Sequence, residues 1–564
     1  MTKKDLILFI SLIIMGIAAC FPGLFTDVTR DAAKYAFVSK EIFETGNWMQ
    51  ISIMGEPYYQ KPQLLFWLSA ASFQVFGISN FSFKILIFIY SLLGCFAVFK
   101  LSERLTDRKT GFISAIMVIF SVIFVLYTMD IHTDTVLFTN VALSLWAIRC
   151  WLTNEKPFYA FLSGLALGLS FITKGPFGLL IPIGSAAGFL LWKRKISAKI
   201  AQQSILIVFI TILIGLLAVV PIFQKNGFNG VWYFLWDNNL KRLSGEFNKT
   251  STDYFFYFHN LLYLFLPWTL FLFSGIVFII RDYFRKKLNA NEFFIFWGLF
   301  LFLFILSIAQ SKLPNYIMSG LPLLAIVSAR AWNEIFDKKQ KTLVFIHIII
   351  LIVLILFTIL IPLWFPVQPE HYIWIGIPAL TIPAFIFFKT NEAKTTLFVR
   401  TLITMLAIAL TLNLYVFPML FSKQGAPKAA KIINEKSLAS EEVYYLSPTD
   451  ISIRDSIEML NTTAVPGAEN IQTELHFYRN YELMFYCEKS VNYIEQLEDI
   501  EDIINRRGIW IYTDPTGLEQ IQNLTKKPLD LFSIDHLNLK RPAKYIRPST
   551  RGKSLEKTYL VHLE

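Results

Sequence analysis

The sequence is short of charge. Asp, Glu, Lys and Arg make up 16% of its 564 residues, against roughly a quarter in soluble globular chains. Most of the chain therefore cannot be a water-facing fold. Cysteine is as scarce: Cys20, Cys95, Cys150 and Cys487 stand far apart, which excludes a disulfide framework and leaves no pair at metal-site spacing. There is no Gly-rich dinucleotide fingerprint and no Walker A sequence, so neither common nucleotide-phosphate loop is present. No internal repeat is visible either.

What the chain has instead is apolar length. Hydrophobic residues make up 55% of it, and runs long enough to cross about 30 Å of hydrocarbon recur as far as residue 421. Beyond that the composition becomes mixed and turn-rich. Two domains are expected: 1–421 in the membrane, and 422–564 as a small soluble α/β domain. The net charge of +11 does not imply nucleic acid as a partner, because the basic residues punctuate the apolar runs and form no single patch. The start, MTKKDLILFISLIIMGIAAC, has signal-peptide features. With so many apolar runs behind it, it is expected to be an uncleaved first span.

The fold class expected is mainly α and polytopic, with about thirteen spans. Alternation from a cytoplasmic Lys3–Lys4 start puts the basic clusters inside. These are Lys100 to Lys109, Arg149 and Lys156, Lys193 to Lys199, Arg281 to Lys287, Arg330 to Lys341, and Lys389 to Arg400. An odd span count then puts the C-terminal domain outside the plasma (inner) membrane. Two outer loops are long, from about Phe25 to Ser82 and from Gln224 to Asp253. Each contains segments suited to helices lying in the membrane interface: Asp31 to Phe43 and Gln63 to Phe73 in the first, Val231 to Leu235 in the second.

Charges on the outer side fall in short blocks. The first loop carries Arg30, Asp31, Lys34 and Tyr35, then EPYYQKP with Tyr58 and Lys61. MDIHTD holds Asp130, His132 and Asp134; FITKGP holds Lys174; the second long loop holds Asp237, Lys241, Arg242 and His259; QSKLPNY holds Lys312 and Tyr316. Asp130 and Asp134 also fit plain acidic residues at a helix start, where the macrodipole favours them. Cations recurring at several separate outer turns, where positive charge is otherwise avoided, point to a shared cavity. Cations with one or two carboxylates suit a phosphorylated lipid: a base orients the incoming group and positive charge meets the departing phosphate.

The blocks TRDAAKYAFVSKEIFETGNWM, EPYYQKPQLLFWLSAASFQVFGISNFSFK, FITKGPFGLLIP, LPWTL and SKLPNYIMSGLPLLAI occur in an order that resembles the bacterial aminoarabinose–lipid A transferases. These are related to the protein O-mannosyltransferases within the C-type glycosyltransferases. The resemblance covers about residues 20–330. It implies a sugar donor on a polyprenyl phosphate, such as undecaprenyl phosphate, and a glycolipid or protein acceptor at the membrane. It places Asp31 as the catalytic carboxylate and Asp134 or Asp130 as a second acidic residue. It also implies substrate or phosphate contacts for Lys34, Tyr35, Tyr58, Lys61, Lys174 and Arg242, to which the outer-turn Lys312 is added. Two departures stand out: Ala32 where the family has Glu, and Gln60 where it often has Glu. The second removes a carboxylate, so no obligatory metal or other cofactor is expected. A divalent ion would have to draw on Asp31, Asp130, Asp134, His132 or His259.

In the C-terminal domain, KAAKIINEK, SIRDSIEML and the acidic run from Ile494 to Ile504 are predicted helices. EEVYYLS, ELMFYCE, IWIYTD and LVHLE are predicted strands. Acceptor docking, covering a cavity mouth and simple stabilisation are its open roles. A rival in another functional class is a glycolipid flippase, but transporters tend to show internal repeats and ionisable groups near the bilayer midplane.

Overall fold

The computed structural model describes residues 3–194, 196–244, 250–365, 376–448, 451, 479–496, 498–525, 529–539 and 542–563. The chain divides into two compact units: Met1–Thr26, Ile42–Leu360 and Gln368–Tyr415 in one, and Asp27–Glu41, Ile361–Val367 and Val416–Glu564 in the other.

The first unit is a helix bundle. Among the described residues of the chain, eight helices are long and apolar enough to cross a membrane, or nine if Arg108–Ile119 and Val122–Met129, bent by 53°, form one span. The chain is a polytopic α-helical membrane protein, but length and composition do not fix the expected number of thirteen. Several expected spans are broken or short: Phe256–Leu264 is followed by Thr269–Phe284, and Leu321–Asp337 has 17 residues. The span expected near Ile373 begins outside the described residues and continues as Gly376–Phe387. Pro157–Lys193, continuous by length, is a hairpin. Its helix Pro157–Lys174 turns at Gly175 (φ 63°), and Leu180–Lys193 returns until the Lys193 ammonium lies 3.2 Å from the Glu155 carboxylate. The turn tolerates no side chain at Gly178, where a Cβ would sit 2.5 Å from the Ser170 carbonyl oxygen.

Side-chain bonds between helix ends sort as the charge alternation requires. Residues expected inside bond to one another: Arg104 to Asn154 (2.7 Å), Arg149 Nε to Asn291 (3.1 Å), Arg281 to Glu334 (3.1 Å), and Arg330 to Glu292. Residues expected outside do the same: Tyr59 to Asn226 (2.8 Å), Asn238 to the Gln60 carbonyl (2.8 Å), and Thr250 to the Lys312 carbonyl (2.9 Å). The LPWTL stretch belongs to the core: Trp268 is fully buried, packed edge-on to Trp332 at 6.5 Å.

The long loop expected outside after the first span has structure of its own. Strands β1 (Ser52–Ile53) and β2 (Glu56–Pro57) pair antiparallel across Met54 and Gly55, both at positive φ. The apolar segment that follows forms a helix, Leu64–Phe76. Gly227 (φ 58°) breaks the long helix Ala198–Trp232 near its end, and a π-turn over Tyr233–Asp237 leads into Asn238–Ser244.

The second unit holds a sheet of β3 (Glu442–Leu446), β4 (Val491–Tyr493), β5 (Ile509–Thr513), β6 (Asp530–Leu537) and β7 (Leu555–Leu563), in the order β4-β3-β5-β7-β6. The β3 strand runs parallel to β4 and β5, while β7 runs antiparallel to β5 and β6. The predicted helix at KAAKIINEK is present as Gly425–Lys436, and the acidic run is helical only over Asp499–Asn505. SIRDSIEML lies outside the described residues.

ELMFYCE is not a strand. Its first five residues lie in the helix Tyr481–Tyr486, started by the Asn480 side chain, which accepts the Leu483 N–H at 2.9 Å. A short apolar run suits either structure, and here the cap and a cation decide. The cation is Lys40, buried in the helix Arg30–Thr45, which donates to the carbonyls of Met484 (3.2 Å), Phe485 (3.4 Å) and Cys487 (2.5 Å). The segment Asp31 to Phe43, expected to lie in the membrane interface, thus also has a protein partner at Lys40. Lys40→Met removes the donor to three buried carbonyls and is expected to cost about 1.5–3 kcal/mol. The measurement is maleimide labelling of Cys487, buried in the native fold, which should become severalfold faster. Unchanged labelling would mean that Lys40 does not hold this helix.

Candidate active site

Asp134 lies in the first turn of the helix Thr133–Asn154, with 1% of its side chain exposed. A carboxylate this deep must be paired and hydrogen-bonded. Its Oδ1 accepts from Lys174 Nζ at 2.6 Å and its Oδ2 from Asn315 Nδ2 at 2.8 Å. Lys174 ends the next helix, Pro157–Lys174, so its ammonium projects where the chain turns at Gly175. Asn140 ties the two helices one turn deeper, donating to Thr173 Oγ1 (2.9 Å) and the Leu169 carbonyl (3.2 Å). The Lys174 ammonium also lies 3.8 Å from the ring centroid of Tyr316 and 4.9 Å from that of Phe177, in cation–π range.

Lys174 faces a pocket of about 620 Å³, part of it open to solvent. Gln60, Lys61, Asn238, Asn239, Ser311 and Tyr316 supply its polar wall, and Phe177, Phe234, Ile305 and Leu306 its apolar one. Lys61 comes from the loop behind β2, and the bond from Asn238 to the Gln60 carbonyl joins that loop to the helix Asn238–Ser244. Two ammonium groups, three amides and two hydroxyls on one apolar-backed cavity can hold a phosphate carried by a hydrophobic chain.

Of the residues singled out in the sequence, Lys61, Lys174 and Asp134 are brought together here. Asp134, expected as a catalytic carboxylate, accepts from Lys174 through one oxygen and from Asn315 through the other. Tyr58 is buried with its ring 6.1 Å from Phe66. Lys312 does not line the pocket: it is buried and donates to the carbonyls of Ser307 (2.7 Å) and Asp253 (2.5 Å) at the end of the helix Ala290–Ile308. Burial holds its ammonium below the usual lysine range, with Asp253 opposing that shift. Asp130 is 40% exposed, 3.3 Å from His132. Arg242 lies in the helix Asn238–Ser244, and its side chain is outside the described residues. Asp31, Lys34 and Tyr35 belong to the second unit; Asp31 is exposed, while Lys34 and Tyr35 are buried.

Among the described residues, no three or more His, Cys, Asp or Glu side chains converge to hold a metal. The expected pool is divided instead, Asp130 with His132 and His259 with Asp253 at 3.1 Å. Sequence reasoning missed Asn315 as the second partner of Asp134. An uncharged residue just after Pro314 carries no signal of that pairing.

The sequence profile of the dolichyl-phosphate-mannose-protein mannosyltransferase family matches residues 60–223. The undecaprenyl phosphate-alpha-4-amino-4-deoxy-L-arabinose arabinosyl transferase 1 of Pseudomonas fluorescens is 25% identical over 322 residues, covering 56% of this chain and 57% of the relative. An uncharacterized protein of Aquifex aeolicus is 27% identical over 371 residues, 62% of this chain and 68% of that one. The chain thus matches a little over half the length of its named relatives. In three dimensions it superposes on ArnT from Cupriavidus metallidurans bound to undecaprenyl phosphate with a TM-score of 0.71 at 13% identity, covering 100% of this chain and 98% of that one. The fold is that of ArnT. The archaeal oligosaccharyltransferase AglB from Archaeoglobus fulgidus follows at a TM-score of 0.50 and 11% identity, covering 91% of this chain and 70% of that one. The resemblance read from the sequence blocks to the ArnT-like aminoarabinose transferases therefore holds in both comparisons.

Removing one member of a buried ion pair strands the other, at a cost of about 3–5 kcal/mol, whereas replacing both with apolar groups is often neutral. Asp134→Leu should therefore lower the unfolding temperature in detergent sharply, and Asp134→Leu with Lys174→Met should recover most of the loss. If the single variant unfolds like the wild type, the pair does not organise these helix ends.

Proposed function

We propose that this protein is a glycosyltransferase that moves a sugar from a polyprenyl phosphate to lipid A or another acceptor at the outer leaflet. The observation that carries the reading is a pocket bearing Lys61 and Lys174 in a chain whose relatives are named for a donor on undecaprenyl phosphate.

The chemistry follows from the residues. In a direct displacement the acceptor oxygen attacks the anomeric carbon, the bond from that carbon to the lipid phosphate breaks, and the configuration inverts. Negative charge grows on the departing phosphate, where fixed cations stabilise the transition state most. Asp134 balances and orients the Lys174 ammonium, and Lys61 brings a second ammonium to the same pocket. Arg242 joins them by the resemblance. Asp31 takes the acceptor proton or orients the acceptor, again by the resemblance. Lys34, Tyr35 and Tyr58 are assigned supporting roles on that ground.

The proposed arrangement in the cell is a multi-pass inner-membrane protein with a cytoplasmic N-terminus, a membrane domain over 1–421 and an extracytoplasmic domain over 422–564. The basic inner turns support this orientation. A protein acceptor is the second reading, favoured by the mannosyltransferase profile over residues 60–223.

Radiolabelled polyprenyl-phosphate sugars from native membranes, supplied to purified protein in detergent, should pass label to an acceptor. Asp31→Asn should slow transfer by about 10²–10⁴. Label reaching a polypeptide would select the second reading. Undiminished transfer by Asp31→Asn would remove Asp31 from the chemistry, and labelled lipid crossing vesicles unchanged would favour a flippase.

A further inference from the structure

Asp31 follows a residue in an unusual backbone conformation. Arg30, the first residue of the helix Arg30–Thr45, has φ 54°, a left-handed geometry uncommon for a non-glycine residue and kept only where the surroundings impose it. Two backbone donors at this helix start are taken by side chains from one short element far along the chain. The Val28 N–H donates to Tyr486 Oη at 2.7 Å, and the Arg30 N–H donates to Glu482 Oε1 at 3.0 Å. Tyr486 Oη in turn donates to Asp27 Oδ1 at 3.5 Å. The Lys34 ammonium lies 5.9 Å from the Tyr481 ring centroid, and the Phe37 ring 6.3 Å from it. With Lys40 on the carbonyls at the far end, the helix Tyr481–Tyr486 touches segment 27–40 along its length.

We infer that the helix Tyr481–Tyr486 sets the position of Asp31, with Glu482 and Tyr486 as positioning residues that fix the backbone on which Asp31 is carried. The inference rests on the reading of Asp31 as the acceptor-activating group. It gives the C-terminal region a part in the reaction beyond docking or stabilisation. Neither residue needs to touch substrate, because an N–H acceptor placed just before Asp31 determines where the carboxylate emerges.

Glu482 sits in surroundings that bear on its charge. Burial pushes its carboxyl up to about 7, and Asp27 adds to this; the Arg30 N–H and the Arg30 guanidinium oppose it. The Tyr512 hydroxyl faces it from β5. A carboxyl raised above its ordinary 4.5 binds more protons folded than unfolded. Its stabilising contribution is therefore full below about 4.5 and is lost as pH rises through about 7. Protonated or not, Oε1 can accept the Arg30 N–H, as can a glutamine oxygen.

The test is steady-state transfer by the full-length protein carrying Glu482→Ala, Glu482→Gln, Tyr486→Phe or Asp31→Asn, with unfolding followed against pH. Glu482→Ala should lower kcat by about 10–100-fold with the donor KM unchanged. Glu482→Gln should restore most of the rate while flattening the fall in stability between pH 4.5 and 7. Tyr486→Phe should lower kcat severalfold. Wild-type kcat in Glu482→Ala, or equal losses in the Ala and Gln variants with a lowered unfolding temperature, would overturn the positioning role. Full activity in Asp31→Asn would instead overturn the reading on which it rests.

Discussion

An ammonium at the end of a helix hairpin inside an apolar bundle needs a fixed counter-charge, and Asp134 provides it to Lys174. Much of the pocket's architecture follows from that pair. It joins the start of one helix to the end of the next, and through Asn315 it reaches the 3-10 turn Pro314–Gly320. That turn carries Tyr316, whose ring backs the same ammonium. Both carboxylate oxygens are occupied, so the pair is fixed at the pocket wall, and Lys61 brings a second cation from the neighbouring loop. An arrangement of this kind can receive a phosphate without reorganising when charge builds on it.

The membrane class, the alternation of helix ends and the blocks that carry Lys61, Asp134 and Lys174 could all be read in the sequence, for physical reasons. Apolar length is set by bilayer thickness, and the partition of Lys and Arg between turns is a strong bias. Roles were less legible than positions. Asp134 and Asp130 share one short block, and only the fold buries the first against Lys174 while leaving the second exposed beside His132. Lys312, alike in sequence to the other cations expected at outer turns, closes a helix end. Its local sequence is the same whether the side chain turns toward a cavity or back onto carbonyls.

The C-terminal region shows where local pattern gives way to tertiary contact. ELMFYCE is a short apolar run that suits a strand, yet Asn480 and Lys40 cap it as a helix, and Lys40 lies in the long loop after the first span. No window of sequence contains both partners. The same holds for Glu482 and Arg30. The segment Asp31 to Phe43 reads as an interfacial helix because its apolar residues share a face, and Phe37 on that face lies against Tyr481.

The central claim is that the pocket holding Lys61 and Lys174 takes the phosphate of a polyprenyl lipid. Native mass spectrometry of the detergent-purified protein titrated with undecaprenyl phosphate tests it most directly, because it needs no acceptor and no knowledge of the sugar. The account predicts saturable binding of one lipid, weakened about tenfold or more by Lys61→Ala through loss of a charge-assisted contact. Equal affinity in wild type and Lys61→Ala would contradict it.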